Sequence, residues 1–235
     1  MNYELIKLTP RLHAIAELIP RGKSIADIGT DHAYIPAYLA LSGISAKIIA
    51  ADILPGPLKS AEATVAKYNR GNAVSVRQSD GLQAFSAGEV DVFIIAGMGG
   101  VLISEILAKS PKAAKRAELL ILQPMTAQDK LRKFLYDSGY KITAETLAKE
   151  GSKIYNILCC VAGEETACPA EYFHIGARLI ERRPPDGLRP PLFEEYIAKL
   201  TAKFERKLKG LQSGKTARDG EIAEAARVLE ILRSL

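Results

Sequence analysis

The chain has no tryptophan, and only three cysteines, three histidines and three methionines among 235 residues. Cys159 and Cys160 are adjacent and Cys168 follows alone, so neither a disulfide framework nor a zinc site of CxxC spacing can be built from them. No apolar run approaches the roughly 20 residues of a membrane span. The first residues, Met1 to Leu5, lack the basic and apolar regions of a secretion signal. These absences lead to the expectation of a cytoplasmic protein with no membrane partner and no metal. Net charge is small at +5, which permits a polyanionic partner without requiring one. Hydrophobic residues at 48% and charged residues at 25% are ordinary globular usage.

Up to about residue 140, short β-branched runs alternate with helical patterns. Strands are predicted over residues 24–28, 47–51, 74–77, 90–96 and 119–122, with helices over 35–42, 57–69, 101–109 and 127–138. Gly43 and Gly139 stand beyond helix ends, and Thr126 is placed to cap a helix start. This alternation means βαβ units and a doubly wound, Rossmann-like α/β sheet, whose ligands sit at the carboxyl ends of its strands. Two further strands over 141–147 and 154–161 read as a hairpin added to the sheet edge. A linker over 163–169 then separates residues 1–163 from a helical tail, 164–235. In the tail, Phe193, Ile197, Leu200, Phe204, Leu208 and Leu211 form one stripe and Ile222, Ala226, Leu229 and Leu232 another. A break at Ser213-Gly214 makes this a coiled-coil-like hairpin, preceded by a shorter helix over 172–182 that Pro184-Pro185 ends. Gly214-Lys215-Thr216 mimics a phosphate-binding loop, but its upstream glycine is missing and it joins two helices.

The strand ends carry the chemistry. The first runs into Asp27-Ile28-Gly29-Thr30-Asp31-His32-Ala33, and the second ends at Asp52, 25 residues after Asp27, where a carboxylate can accept both ribose hydroxyls. A nicotinamide fingerprint would need G-x-G-x-x-G, and only Gly29 is present. Asp80-Gly81 follows the third strand, and Ala96-Gly97-Met98-Gly99-Gly100 ends the fourth. Singly, each is a turn signal; together they favour a nucleoside-bearing cofactor, held by Asp27, Gly29, Asp52, Asp80, Gly81, Gly97, Met98 and Gly99.

The run Ala26-Asp-Ile-Gly-Thr-Asp-His-Ala-Tyr-Ile-Pro36 strongly resembles the TrmK-type bacterial tRNA (adenine-22-N1)-methyltransferases. So do Gly56-Pro57, Val76-Arg77, Asp80-Gly81-Leu82, Ile95-Ala-Gly-Met-Gly-Gly100 with Leu102-Ile103, and Leu120-Ile-Leu-Gln-Pro124. Arg11-Leu12, Lys153-Ile-Tyr155 and the character of the tail fit as well. Two positions depart: Met125 where the family tends to have asparagine, and Asn156 where glutamate is usual. The resemblance implies S-adenosylmethionine as cofactor, tRNA as partner, and methyl transfer to N1 of a D-arm adenine.

For the transfer, Asp31 is the first candidate catalytic group, to hold charge on the methylated ring or accept its proton, with a helix N-cap as its competing role. His32 either orients Asp31 or fills the pocket wall. Tyr34 could stack on a flipped base and Gln123 could read an adenine edge. His13 and His174 sit on helical patterns and read as structural. Lys199, Lys203, Arg206 and Lys207 share a face of the tail, with Arg178, Arg182, Arg183 and Arg189 upstream, as candidate phosphate contacts. A small-molecule methyltransferase with a covering or dimer-forming tail remains an alternative, as does a non-catalytic RNA-binding module.

Overall fold

The computed structural model describes residues 6–68, 71–164, 168–181, 191–213 and 219–235. Seven strands form one sheet: β1 (Ile25–Ile28), β2 (Ile48–Asp52), β3 (Val74–Gln78), β4 (Val92–Gly99), β5 (Leu119–Thr126), β6 (Tyr140–Glu150) and β7 (Lys153–Ala162). Their order is β3-β2-β1-β4-β5-β7-β6. β1 to β5 are parallel, and β7 pairs antiparallel with both β5 and β6. The order reverses direction between β1 and β4, which opens a crevice at the carboxyl ends of those strands.

The central strands are buried on both sides, which is why they read as unbroken apolar runs. Ala26, Ile28, Phe93, Ile95, Leu120 and Leu122 face one core, and Ile25, Ile48, Ile94 and Ile121 the other. Against the first pack α4 (Gly100–Lys109), α5 (Pro111–Arg116) and α6 (Gln128–Asp137); against the second pack α1 (Pro10–Glu17), α2 (Tyr34–Leu41) and α3 (Pro55–Lys67). Proline at the first turn starts α1, α3 and α5, where its missing N–H costs nothing. α5 was not expected; six residues are too few for periodicity to register.

Thr126 does not cap a helix. β4 and β5 extend three and four residues beyond the predicted strands and pair Gly99 with Thr126, so Thr126 is consumed by the sheet. Ala127, with φ 52°, makes the corner into α6 and supplies no side-chain cap. The extension crosses a bulge at Gly97, where φ is +78° and the ladder slips between Ala96 and Met98.

The expected helix over 172–182 is two short ones, α7 (Tyr172–Ile175) and α8 (Ala177–Glu181), divided by Gly176 at φ 108°. A Cβ there would lie 2.8 Å from Glu145 Oε2 and 3.0 Å from Arg132 Nη2, so the glycine lets this backbone close over a buried ion pair. α9 (Phe193–Ser213) and α10 (Asp219–Ser234) pack together around Phe193, Tyr196, Ile197, Leu200, Phe204, Val228, Leu229 and Leu232. Leu147 of β6 and Ile154 of β7 join that third core and seat the helical hairpin on the sheet edge. Pro184-Pro185, Arg182, Arg183, Arg189 and Gly214-Lys215-Thr216 lie outside the described residues. No described helix is long and apolar enough to cross a membrane, and no described cluster of His, Cys, Asp or Glu could hold a metal ion.

Candidate functional site

A cleft of about 360 Å³ opens at the carboxyl ends of β1 and β4, between α1 and the start of α2. The fold brings Asp27, Gly29, Asp31, His32, Tyr34 and Gly97 to its wall, with Thr30 and Arg11. Asp27 is 8% exposed; burial pushes its carboxyl up to about 6, and the neighbouring charge of Asp52 adds to the effect. Gly29 turns the chain at φ +74°, and Met98 lies across it: a Cβ at 29 would fall 2.0 Å from Met98 Cε. Thr30 is buried, and its hydroxyl donates toward the Asp27 carboxylate, which offsets part of the effect of burial.

Asp31 is the opposite of Asp27. Its side chain is 76% exposed and lies 3.4 Å from His32 Nε2. The N-cap position of α2 is held by Ala33 in left-handed geometry, and no side chain caps the helix, so capping does not account for Asp31. His32 stacks on Tyr34 with ring centres 5.3 Å apart, and Tyr34 is itself exposed.

Asp52, at the end of β2, accepts the Leu54 N–H through Oδ1 at 2.9 Å. Asp80, on the same edge beyond β3, accepts from Gln83 at 2.7 Å and lies 3.5 Å from Lys109. Neither lines the cleft around β1 and β4. Gly81 has a packing reason: at φ +58° it tucks under Ile106, where a Cβ would come within 2.8 Å. Gly99 faces Thr126, and Gly100 packs so closely that a Cβ would lie 2.4 Å from the Ala127 carbonyl oxygen.

Gln123 is fully buried and already engaged. Its Oε1 accepts from Arg11 Nη1 at 2.8 Å and from the Gly97 N–H at 3.1 Å, and its Nε2 donates to the Pro124 carbonyl at 3.1 Å. The bulge at Gly97 takes that N–H out of the ladder, and Gln123 replaces the lost acceptor. Sequence reasoning also passed over the apolar rim. Ile53 and Leu54 just after β2, Val101 and Leu102 just after β4, and Met125 near the end of β5 are exposed, as is Tyr34. Two apolar residues in a row after β2 and β4 were the available signal.

The tail reaches the same edge of the sheet. The turn between β6 and β7 projects past Thr126, and Lys199 of α9 donates to the Ser152 carbonyl in that turn and pairs with Glu195 at 2.9 Å. Glu195 in turn holds Lys149 at 2.8 Å. Lys203 and Arg206 are exposed further along α9. His13 lies 3.6 Å from Glu17 on α1. His174 bridges elements: Nε2 is 2.7 Å from Glu224 of α10 and Nδ1 3.7 Å from Asp129 of α6.

A second cavity, about 220 Å³, lies between α6, β6 and α7–α8, lined by Tyr136, Tyr140, Tyr172 and Phe173. Its charged groups are committed to holding elements together. Arg132 Nε donates to Glu145 Oε1 at 2.7 Å with both side chains almost wholly buried, and Nη1 donates to the Phe173 carbonyl. The exposed carboxylate, stacked rings and left-handed glycines all lie at the first cleft, which is therefore the candidate active site.

A methyltransferase-domain family profile matches residues 8–158. The tRNA (adenine(22)-N(1))-methyltransferase of Bacillus subtilis is 41% identical over 162 residues, 69% of this chain and 68% of that protein. The crystal structure of the B. subtilis m1A22 tRNA methyltransferase TrmK superposes with a TM-score of 0.74 at 34% identity, covering 97% of this chain and 98% of that one. A Streptococcus pneumoniae protein, described as a candidate tRNA (m1A22) methyltransferase and solved with S-adenosyl-L-methionine, superposes at 0.81 and 31% identity over 95% and 100% of the two chains.

Proposed function

The chain belongs to the tRNA (adenine(22)-N(1))-methyltransferase family, and from that premise we propose that it transfers the methyl group of S-adenosylmethionine to N1 of adenine 22 in the D-arm of tRNA, in the cytoplasm. The observation that carries this reading is one sheet edge holding a buried acid, a left-handed glycine and an exposed acid beside stacked rings.

The residues present fit the cofactor. Asp27, buried and raised toward neutrality with the Thr30 hydroxyl beside it, suits an ammonium group that must leave water. Asp52 retains a carboxylate oxygen for ribose hydroxyls, Ile53 and Leu54 offer apolar surface for a purine, and Asp80 can accept from its exocyclic amine. Gly29 and Gly97 bring backbone to the cleft with the Met98 thioether beside Gly29, while Gly81 and Gly99 shape the adjoining strand ends for the cofactor by packing against Ile106 and Thr126. When bound, S-adenosylmethionine supplies an electrophilic sulfonium methyl.

Adenine N1 brings its own lone pair, so no base is needed to create the nucleophile. The methylated ring is cationic until its exocyclic amine loses a proton. Asp31 stands at the mouth as a carboxylate able to offset that charge or accept the proton, with His32 holding its orientation. Tyr34, stacked on His32 and open to solvent, presents a ring face to an extruded base. Gln123 acts indirectly, by fixing Arg11 and the bulge. Lys199, Lys203 and Arg206 run from the cleft edge along α9 and suit phosphates of a long RNA. Residues 1–163 form the catalytic unit and 164–235 the helical unit that helps dock tRNA.

Incubation with methyl-labelled S-adenosylmethionine and total bacterial tRNA, followed by digestion to nucleosides, tests the proposal. Label should appear in 1-methyladenosine and be lost when adenine 22 is replaced in a transcript. Label on no nucleoside, or on another base, would overturn it.

A further inference from the structure

The cleft is rich in acids: Asp27 and Asp31 line it, and Asp52 stands at the next strand end. Among the described residues one Lys or Arg side chain lines it, Arg11 on the first turn of α1. That side chain is 19% exposed and three partners aim it. Nη1 donates to Gln123 Oε1 at 2.8 Å, Nε lies 3.6 Å from Glu150 Oε2, and the guanidinium sits 5.6 Å from the centre of the Tyr155 ring. Gln123 cannot turn away, because its own amide donates to the Pro124 carbonyl. No hydrogen bond engages Nη2 among the described residues, and a Cβ on Gly97 would lie 3.9 Å from Nη1, so the guanidinium passes over bare backbone at the bulge.

An arginine held this firmly at an acid-rich cleft is suited to an anion. The methyl donor carries one anionic group, the carboxylate of its amino-acid end. With ribose at Asp52 on β2, and β2 and β3 on one side of β1, the amino-acid end extends to the other side, toward β4 and β5. Arg11 stands there, against Gly97 of β4 and Gln123 of β5. Resting on the methyl-donor reading above, we infer that Arg11 grips the donor's carboxylate, and that Gln123 and Glu150 are the residues that position it.

Calorimetry on the full chain with two probes tests this: S-adenosylmethionine, and decarboxylated S-adenosylmethionine, which lacks only the carboxylate. The parent should prefer the first by about ten-fold or more, the scale of a lost charge-assisted hydrogen bond. Arg11→Gln should erase that preference, weakening the first probe by about ten-fold or more and the second by less than about two-fold. Arg11→Lys keeps the charge without the fork and should fall between. It carries the same comparison if circular dichroism shows Arg11→Gln to be misfolded. Equal losses for both probes would overturn the inference and leave Arg11 a support for the bulge. Equal affinity of the parent for both probes would overturn it too. A parent that binds neither probe would instead sink the methyl-donor reading on which it rests.

Discussion

Asp27 and Asp31 are four residues apart and meet opposite surroundings, and each has a measurable consequence. Asp27 is ionised at pH 7 only against its burial, with its carboxyl pushed up to about 6 from an ordinary value near 3.8. As pH rises from about 4 to 6 the unfolded chain ionises before the folded one, so the fold loses stability across that window and stays penalised above it. Asp27→Asn should therefore stabilise the protein, measured without cofactor, by about 1–3 kcal/mol at pH 8. The gain should shrink toward zero near pH 4, while cofactor affinity falls. Urea unfolding at the two pH values checks this; a gain equal at both would mean the carboxyl is not perturbed. Asp31→Asn removes charge from an exposed site and disturbs no cap. It should fold normally, bind S-adenosylmethionine, and lose single-turnover methyl transfer by about 10²-fold or more. A rate like the parent's would move the role to His32 or to base positioning.

Both acids and Gly29 were legible in the sequence because a strand end in a parallel sheet fixes where the next few residues stand. Gln123 stood out only as a reader of an adenine edge and Arg11 only as part of the resemblance. Their contact with each other was not legible, because it spans 112 positions and rests on a bulge no local pattern announces.

Elements meet at Arg132 and Glu145. The pair joins α6 to β6, then receives the Phe173 carbonyl of α7 and the Arg178 N–H of α8. Removing one member leaves the other charged and buried. Arg132→Met or Glu145→Met should each cost about 3–5 kcal/mol, whereas the double substitution should cost less than either single one. Denaturant unfolding of all three variants decides it; additive losses would mean the pair is not energetically coupled. The same pair explains why one helix was expected over 172–182. Its apolar residues carry the period, but Gly176 is needed to bring backbone against the two charged side chains, and that need appears only once β6 is in place. Thr126 is a similar case: its spacing suits a cap, and pairing with Gly99 claims it first.

For the molecule as a whole, the question is what the helical tail contributes, and cutting it off is a poor way to ask. α9 and α10 cover Leu147 and Ile154 of the β6–β7 hairpin, and α7 supplies a partner for the buried Arg132. A chain ended near residue 163 would expose apolar surface and strand a charge, so lost tRNA binding would report damage as well as missing contacts. Charge reversal on exposed positions is cleaner. Lys203→Glu with Arg206→Glu changes side chains that point into solvent and should leave the melting temperature and S-adenosylmethionine affinity unchanged. If these residues neutralise phosphates, tRNA affinity should fall by about ten-fold or more at low salt. The slope of log affinity against log salt should also become shallower by about 1–2, since each lost phosphate contact removes about one released counterion. Filter binding across a salt series measures both quantities. Affinity and slope equal to the parent's would show that RNA does not run along this face of α9. The tail would then serve to brace the β6–β7 hairpin, whose turn Lys199 holds beside the cleft through the Ser152 carbonyl.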